Sequence, residues 1–160
     1  MPIGSFLKIL IMGLPGSGKT TLAKTLHDLL LFNRYDSCWL NADKVREQFN
    51  DWDFSAAGRE RQAMRMLSLA NLKGNYDDII ICDFVCPLKK YRDLFEPDVL
   101  IYMNTIDKSR YEDTNSIFEP PVKPDLEVLK LDSHLYSKII LMCVFVRMKT
   151  NAQLLNLHLA

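Results

Sequence analysis

The segment GLPGSGKT at positions 13–20 holds three glycines, a lysine and a threonine at the spacing GxxxxGK[ST]. Gly13, Gly16 and Gly18 permit backbone conformations that a side chain forbids, so successive amides of a loop, Ser17 included, can converge on a phosphate at a helix N-terminus. Lys19 adds a full positive charge suited to bridging β- and γ-phosphates, and the Thr20 hydroxyl is the expected ligand of Mg²⁺. Thr21 is expected to reach an α-phosphate. The chemistry implied is binding of a nucleoside triphosphate with Mg²⁺, and the alternative is a glycine turn followed by an incidental Lys-Thr.

A phosphate acceptor needs a second set of groups, and LNADKVREQFNDWDFSAAGRERQAMR, residues 40–65, supplies them. Asp43 is placed to orient or deprotonate an acceptor hydroxyl, or to hold a magnesium-bound water. It also suits a helix N-cap, and both roles can coexist. Arg46, three residues on, shares its helical face and can fork onto an anionic acceptor. Phe54 is either a core residue at a helix entry or an aromatic plate for a base. Ser55 reads as an N-cap. Arg59, Arg61 and Arg65 spread around a helix, so a solvated charged face is the default and one or two of them point inward. Asp83, at a strand end, is either a carboxylate for Mg²⁺ or a capping aspartate beside Pro87.

These groups need a scaffold that brings distant segments together. Apolar runs Leu7 to Met12, Ser37 to Leu40, Asp78 to Phe84 and Asp98 to Met103 have strand length, and Ile79, Ile80 and Ile81 are contiguous and β-branched. Stretches at helical spacing separate them: Lys19 to Phe32, Asp43 to Phe49, Ser55 to Leu72 and Leu88 to Phe95. That alternation predicts an α/β fold in three layers, a mostly parallel sheet flanked by helices, with ligands at the carboxyl ends of the strands. The polar stretch 104–125, punctuated by Pro120, Pro121 and Pro124, is expected to form a small mobile lid. One domain over residues 1–160 is expected, since 160 residues with 48% hydrophobic content suit a single core. The tail after Leu129 reads equally as a helix or a terminal strand, and its last ~10 residues are expected to be poorly ordered.

Twenty basic and twenty acidic side chains cancel, so no overall field favours nucleic acid or a membrane. A small-molecule substrate is the expected partner, and a homodimer stays open. Four cysteines without a CxxC pair fit reduced, mostly buried thiols and a cytoplasmic setting. The apolar run Ile139 to Val146 is far shorter than the ~20 residues that span a bilayer. His27, His134 and His158 lack a second ligand at helical or loop spacing and read as ordinary histidines.

Taken together, GLPGSGKTTLA, LNADKVR, FSAAGRERQAMR, FVCPLKKYRDLF and FEPPVKPDLEV occur in an order that resembles the adenylylsulfate kinases. The resemblance covers Phe6 to Val128 and implies the P-loop NTPase fold, with transfer of the γ-phosphate of MgATP to the ribose 3′-hydroxyl of adenylylsulfate. On the matching positions, it makes Asp43 the catalytic carboxylate, places Arg46 and Arg59 on the acceptor's phosphosulfate region, and stacks Phe54 on its adenine. The chain departs from the family's DGDxxR, FSxxDRxxN and xFxSP patterns. Asn41 and Ala42 replace the first Asp and the Gly, Gly58 precedes the arginine, Gln62 takes the place of the asparagine on the acceptor side, and Cys86 replaces the serine. The family's lysine and phenylalanine block before the PP segment gives way to RYEDTNSIF. There Phe118 is the substitute for stacking, and Arg110 is the candidate for stabilising the transferring phosphoryl group, with a surface ion pair to Glu112 or Asp113 as its alternative. Three other readings are weighed: a kinase of this architecture for another small hydroxyl compound or nucleotide, a GTP-dependent switch, and a non-catalytic binding module. Asn104 to Asp107 imitates a guanine-reading motif but lacks its lysine.

Overall fold

In the computed structural model, which describes residues 6–158, five parallel strands form one sheet in the order β2-β3-β1-β4-β5. They are β1 (Leu7–Gly13), β2 (Ser37–Asn41), β3 (Ile79–Asp83), β4 (Val99–Met103) and β5 (Leu126–Val128). The helices are α1 (Lys19–Phe32), α2 (Ala42–Phe49), α3 (Ala56–Lys73), α4 (Lys89–Phe95), α5 (Glu112–Ile117) and α6 (Ser133–His158). Alternation along each strand sends neighbouring side chains to opposite faces, which is why runs such as LKILIM and IIIC can be apolar throughout. Ile9, Ile11, Ile79, Ile81 and Ile101 face Leu22, Leu26 and Leu30 of α1 and Ile140 and Val144 of α6. Leu10, Met12, Ile80 and Cys82 face Ala63, Met66 and Ala70 of α3 and Tyr91 and Phe95 of α4. Sheet and two helical layers make the three-layer α/β arrangement anticipated above.

The tail resolves as α6, because Ile140, Leu141 and Val144 recur at helical spacing against α1. The expectation for the last ~10 residues concerns side chains outside those described, as does that for His158. Residues 104–125 hold α5 and otherwise irregular chain. Of the cysteines, Cys82 and Cys86 are buried, but Cys143 is exposed. Among the described residues, no helix is long and apolar enough to cross a membrane.

The strands end together. Asn41 pairs with Asp83 in the β2–β3 register, and Gly13 pairs with Met103 between β1 and β4. Everything that follows the strand ends, the 13–20 loop included, therefore opens onto one edge of the sheet.

Candidate active site

A cleft of about 950 Å³ runs along that edge, from Gly16, Gly18, Lys19 and Thr20 to Arg46, Phe54, Arg59 and Gln62. At one end the loop is shaped by its glycines. Gly16 (φ 86°) and Gly18 (φ 91°) adopt left-handed conformations, and Gly18 is the N-cap of α1. Gly13 and Ser17 do not line the cleft. A Cβ on Gly13 would stand 2.6 Å from the Met103 carbonyl oxygen, so this glycine lets β1 and β4 approach. Ser17 is buried, its amide donates to Leu14 O at 3.1 Å, and its Oγ has no partner among the described residues. Its carbonyl accepts from Thr105 Oγ1 at 2.8 Å, which ties the start of the 104–125 stretch to the loop. Thr21 opens instead onto an adjoining cavity of about 320 Å³, with Leu131, Ser133 and Tyr136.

Lys19 folds over the loop and donates from Nζ to Leu14 O at 2.9 Å. Burial pulls its pKa down to about 8, against the opposing pull of the Asp83 and Asp43 carboxylates. Such an ammonium sits among main-chain donors with little solvent to satisfy it, and an anion with several oxygens would relieve that shortage.

Asp83 closes β3 with 2% exposure. Its Oδ2 accepts from Trp39 Nε1 at 2.8 Å and its Oδ1 from Asn41 Nδ2 at 2.8 Å. The same Asn41 amide lies 3.3 Å from Thr20 Oγ1. These bonds overturn the reading of Asp83 as a cap or turn aspartate. Burial pushes its carboxyl up to about 6, although the Trp39 and Asn41 bonds and the Lys19 charge hold it down. Asn41, not Asp43, caps α2, with its Oδ1 accepting the Lys44 amide at 3.0 Å. Asp43 therefore stands free of the N-cap role, in the first helical turn, on the wall of the cleft.

The far end is made of side chains. Phe54 is 50% exposed, which removes it from the core. Two guanidinium groups approach its ring, Arg46 at 4.5 Å and Arg59 at 5.9 Å from the ring centre. Arg46 Nη1 donates to the carbonyls of Asp51 (2.9 Å) and Asp53 (3.1 Å), so it also shapes the turn that presents Phe54. Burial lowers the Arg46 pKa, with the Asp51 carboxylate opposing. Arg59 Nε donates to Phe54 O at 2.8 Å, and its Nη2 reaches Asp113 Oδ2 at 2.6 Å and Thr114 Oγ1 at 3.1 Å on α5. Gln62 Nε2 donates to Ala42 O at 3.1 Å. Ser55 caps α3 by accepting the Gly58 amide at 3.2 Å. Gly58 itself leaves no room for more, since a Cβ there would run into the Asp53 carbonyl oxygen.

Arg61 and Arg65 are not a plain solvated face. Both grip Asp51, at 2.8 and 2.9 Å, and hold its carboxyl well below the usual carboxylate range. Arg110 precedes α5. It lines the cleft, stacks 4.8 Å from the Tyr111 ring centre and donates to Tyr111 Oη at 2.6 Å, in place of an ion pair with Glu112 or Asp113. Phe118 is not among the residues that line the cleft; it is stacked on Tyr102 with centres 6.1 Å apart and packed on the α3–α4 side of the sheet. Cys86 lines the cleft in a left-handed turn (φ 45°), and burial pushes its thiol up to about 12, so it is a neutral wall. Trp39 and Thr105 were not picked out as site residues from the sequence, and Asn41 appeared only as a departure. No local pattern marks any of them, because their partners lie 21 to 88 positions away.

The donor set around Thr20 and Asp83 is oxygen only, a hydroxyl and a carboxylate, and so fits a hard cation such as Mg²⁺ rather than a soft metal. Among the described residues, no cluster of three or more His, Cys, Asp or Glu could hold a metal by itself. Phosphate oxygens and water would have to complete the shell.

Comparison with known proteins agrees with this arrangement. Residues 5–105 match the family model described as adenylylsulphate kinase. A probable adenylyl-sulfate kinase of Aeropyrum pernix is 31% identical over 127 residues, covering 73% of this chain and 69% of that protein. An adenylyl-sulfate kinase of Penicillium chrysogenum is 37% identical over 89 residues, covering 54% of this chain but 42% of that protein. Among solved structures, the Mycobacterium tuberculosis APS kinase in complex with AMPPNP and APS superposes with a TM-score of 0.78 at 20% identity, covering 88% of this chain and 98% of that one. The last likeness speaks for the fold. The family match stops at residue 105, so most of the 104–125 stretch lies beyond it.

Proposed function

Because the chain belongs to the adenylylsulphate kinase family, we propose that it transfers the γ-phosphoryl group of ATP to the 3′-hydroxyl of adenylylsulfate, giving 3′-phosphoadenylylsulfate. One observation carries this reading. A single cleft joins a phosphate cradle to an aromatic ring with two guanidinium groups beside it. A nucleotide switch has no use for that second end, whereas a purine bearing an anionic group matches both the ring and its cations.

In this reading the loop amides and Lys19 neutralise the diphosphate that leaves, and Asp43 aligns the acceptor hydroxyl and takes its proton. Phe54 stacks on the acceptor's base, Arg46 and Arg59 face its anionic part, and Gln62 holds the wall behind them through Ala42. Arg110 reaches the transferring group from the 104–125 stretch, which acts as a lid. Thr20, with Asp83 behind it, would hold Mg²⁺, whose contribution is to shield the charge of the phosphate oxygens. Asp113 now occupies Arg59, so an anionic acceptor would have to displace it. The reading is of a cytoplasmic enzyme with a small-molecule substrate, alone or as a homodimer, and the even balance of charge favours neither nucleic acid nor a membrane as partner.

A coupled phosphotransfer assay with ATP and Mg²⁺ tests the proposal. Adenylylsulfate is compared with nucleosides, nucleotides and small alcohols, and Lys19→Ala protein serves as the blank. Turnover confined to adenylylsulfate supports the assignment. ATP binding without transfer to it removes that acceptor and leaves the cradle in place.

A further inference from the structure

Period-two alternation puts Trp39, Asn41 and Asp83 on the α1 side of the sheet, at the strand ends, because Asn41 pairs with Asp83 and Trp39 with Ile81. Trp39 has a neighbour from each of two helices. The His27 ring of α1 lies 6.5 Å from it, and the Lys44 ammonium of α2 stands 5.5 Å from its ring centre. The indole N–H is part-buried, and its acceptor is a charged one, the Asp83 carboxylate. With Asn41 on the other oxygen, the carboxylate is fixed by donors from a neighbouring strand. Asn41 then continues the chain of contacts to Thr20 Oγ1.

We infer that Trp39 is a positioning residue for the phosphotransfer site: its indole N–H and the Asn41 amide hold the Asp83 carboxylate in the orientation from which it supports a cation at Thr20. This rests on the reading of the cleft as a site for ATP with Mg²⁺. The physical reason is that a buried carboxylate with one oxygen unpaired can turn about its terminal bond, whereas one bonded on both oxygens from β2 cannot. Groups that orient a ligand from behind are worth about 10–100-fold in metal affinity. Trp39 is not among the residues that line the cleft, so its effect should appear in the metal dependence of nucleotide binding.

The test is calorimetric titration of ATP, with no acceptor present, into the full chain with Mg²⁺ and with chelator. In the wild type, Mg²⁺ tightens ATP binding. Trp39→Phe keeps the ring and removes the donor, and is expected to cut that gain about tenfold while leaving metal-free affinity unchanged. Trp39→His, which restores a ring N–H, should recover part of the gain. In an Asp83→Asn background, Trp39→Phe should have no further effect. Equal gains in wild type and Trp39→Phe would overturn the inference, as would parallel losses with and without metal, which a merely structural role produces. Should Trp39→Phe fail to fold, Trp52→Phe leaves Trp39 as the sole indole. Its emission should then respond to ATP with Mg²⁺ and not to ATP with chelator, and identical responses would overturn the inference. Turnover on adenylylsulfate is assayed separately: its failure would change the acceptor without altering these ratios, whereas an absence of any Mg²⁺ effect on ATP binding in the wild type would remove both readings.

Discussion

At the end near α1 the cleft is made largely of main chain: two left-handed glycines, the α1 N-terminus, and one buried ammonium resting on the Leu14 carbonyl. At the α2–α3 end it is made of side chains, with a half-exposed ring beside two arginines whose own positions depend on Asp51, Asp53 and Asp113. The first kind of site is specified within a few residues, since glycine conformations and a helix start dictate it. The second kind is assembled from elements far apart in the chain and can be retuned by single substitutions. This contrast accounts for a chain that keeps the GLPGSGKT loop intact while departing from its family at Asn41, Ala42, Gly58, Gln62 and Cys86.

The largest expected effect lies at the main-chain end. Lys19→Ala removes the only charge the loop itself carries, and turnover should fall at least about a thousandfold, measured by the coupled assay; residual activity near wild type would mean that the amides suffice. Asp43→Asn should lower kcat by about 10²–10⁴-fold with ATP affinity unchanged, the range expected for a lost general base. Unaltered kcat would return Asp43 to a plain helical position.

Asp83, bonded to Trp39 and Asn41 behind Thr20, gives a pH signature. Its folded pKa is raised to about 6, so its contribution to stability is fully present below the ordinary carboxylate range and is lost as pH rises through about 6. Metal-free wild type should therefore lose stability relative to Asp83→Asn between about pH 4 and pH 7, by roughly 3 kcal/mol at most. Thermal unfolding of both proteins across that range checks it, and a flat difference would place the carboxylate in contact with water.

Phe54→Ala sharpens the contrast from the other side. Stacking on a base contributes on the order of 1–3 kcal/mol, so acceptor KM should rise about 5–150-fold while the melting midpoint stays put. A drop in the midpoint with unchanged KM would mean that the ring serves the α2–α3 turn. The smallest effect belongs to Arg61→Ala, whose exposed ion pairs with Asp51 and Asp53 leave Arg65 still holding Asp51. Less than about 2 °C in the midpoint and little change in KM are expected.

The alternation of strand and helix, the cradle and the cap at Ser55 could all be read along the chain, because each depends on glycine conformation, side-chain alternation or a cap within a turn of its partner. Tertiary structure decided what those patterns leave open. IILMCVFV suits a buried strand or a helix, and only packing of Ile140 and Val144 on α1 makes it α6. Phe54 could have been core, and Phe118 could have faced the cleft; their surroundings, two arginines for one and Tyr102 for the other, settled both. The Trp39–Asp83–Asn41–Thr20 contacts exist because a parallel register brings β2 beside β3 and both beside the start of α1. Conformation is encoded over a few residues, whereas which side chain meets which depends on register and burial across the whole sheet.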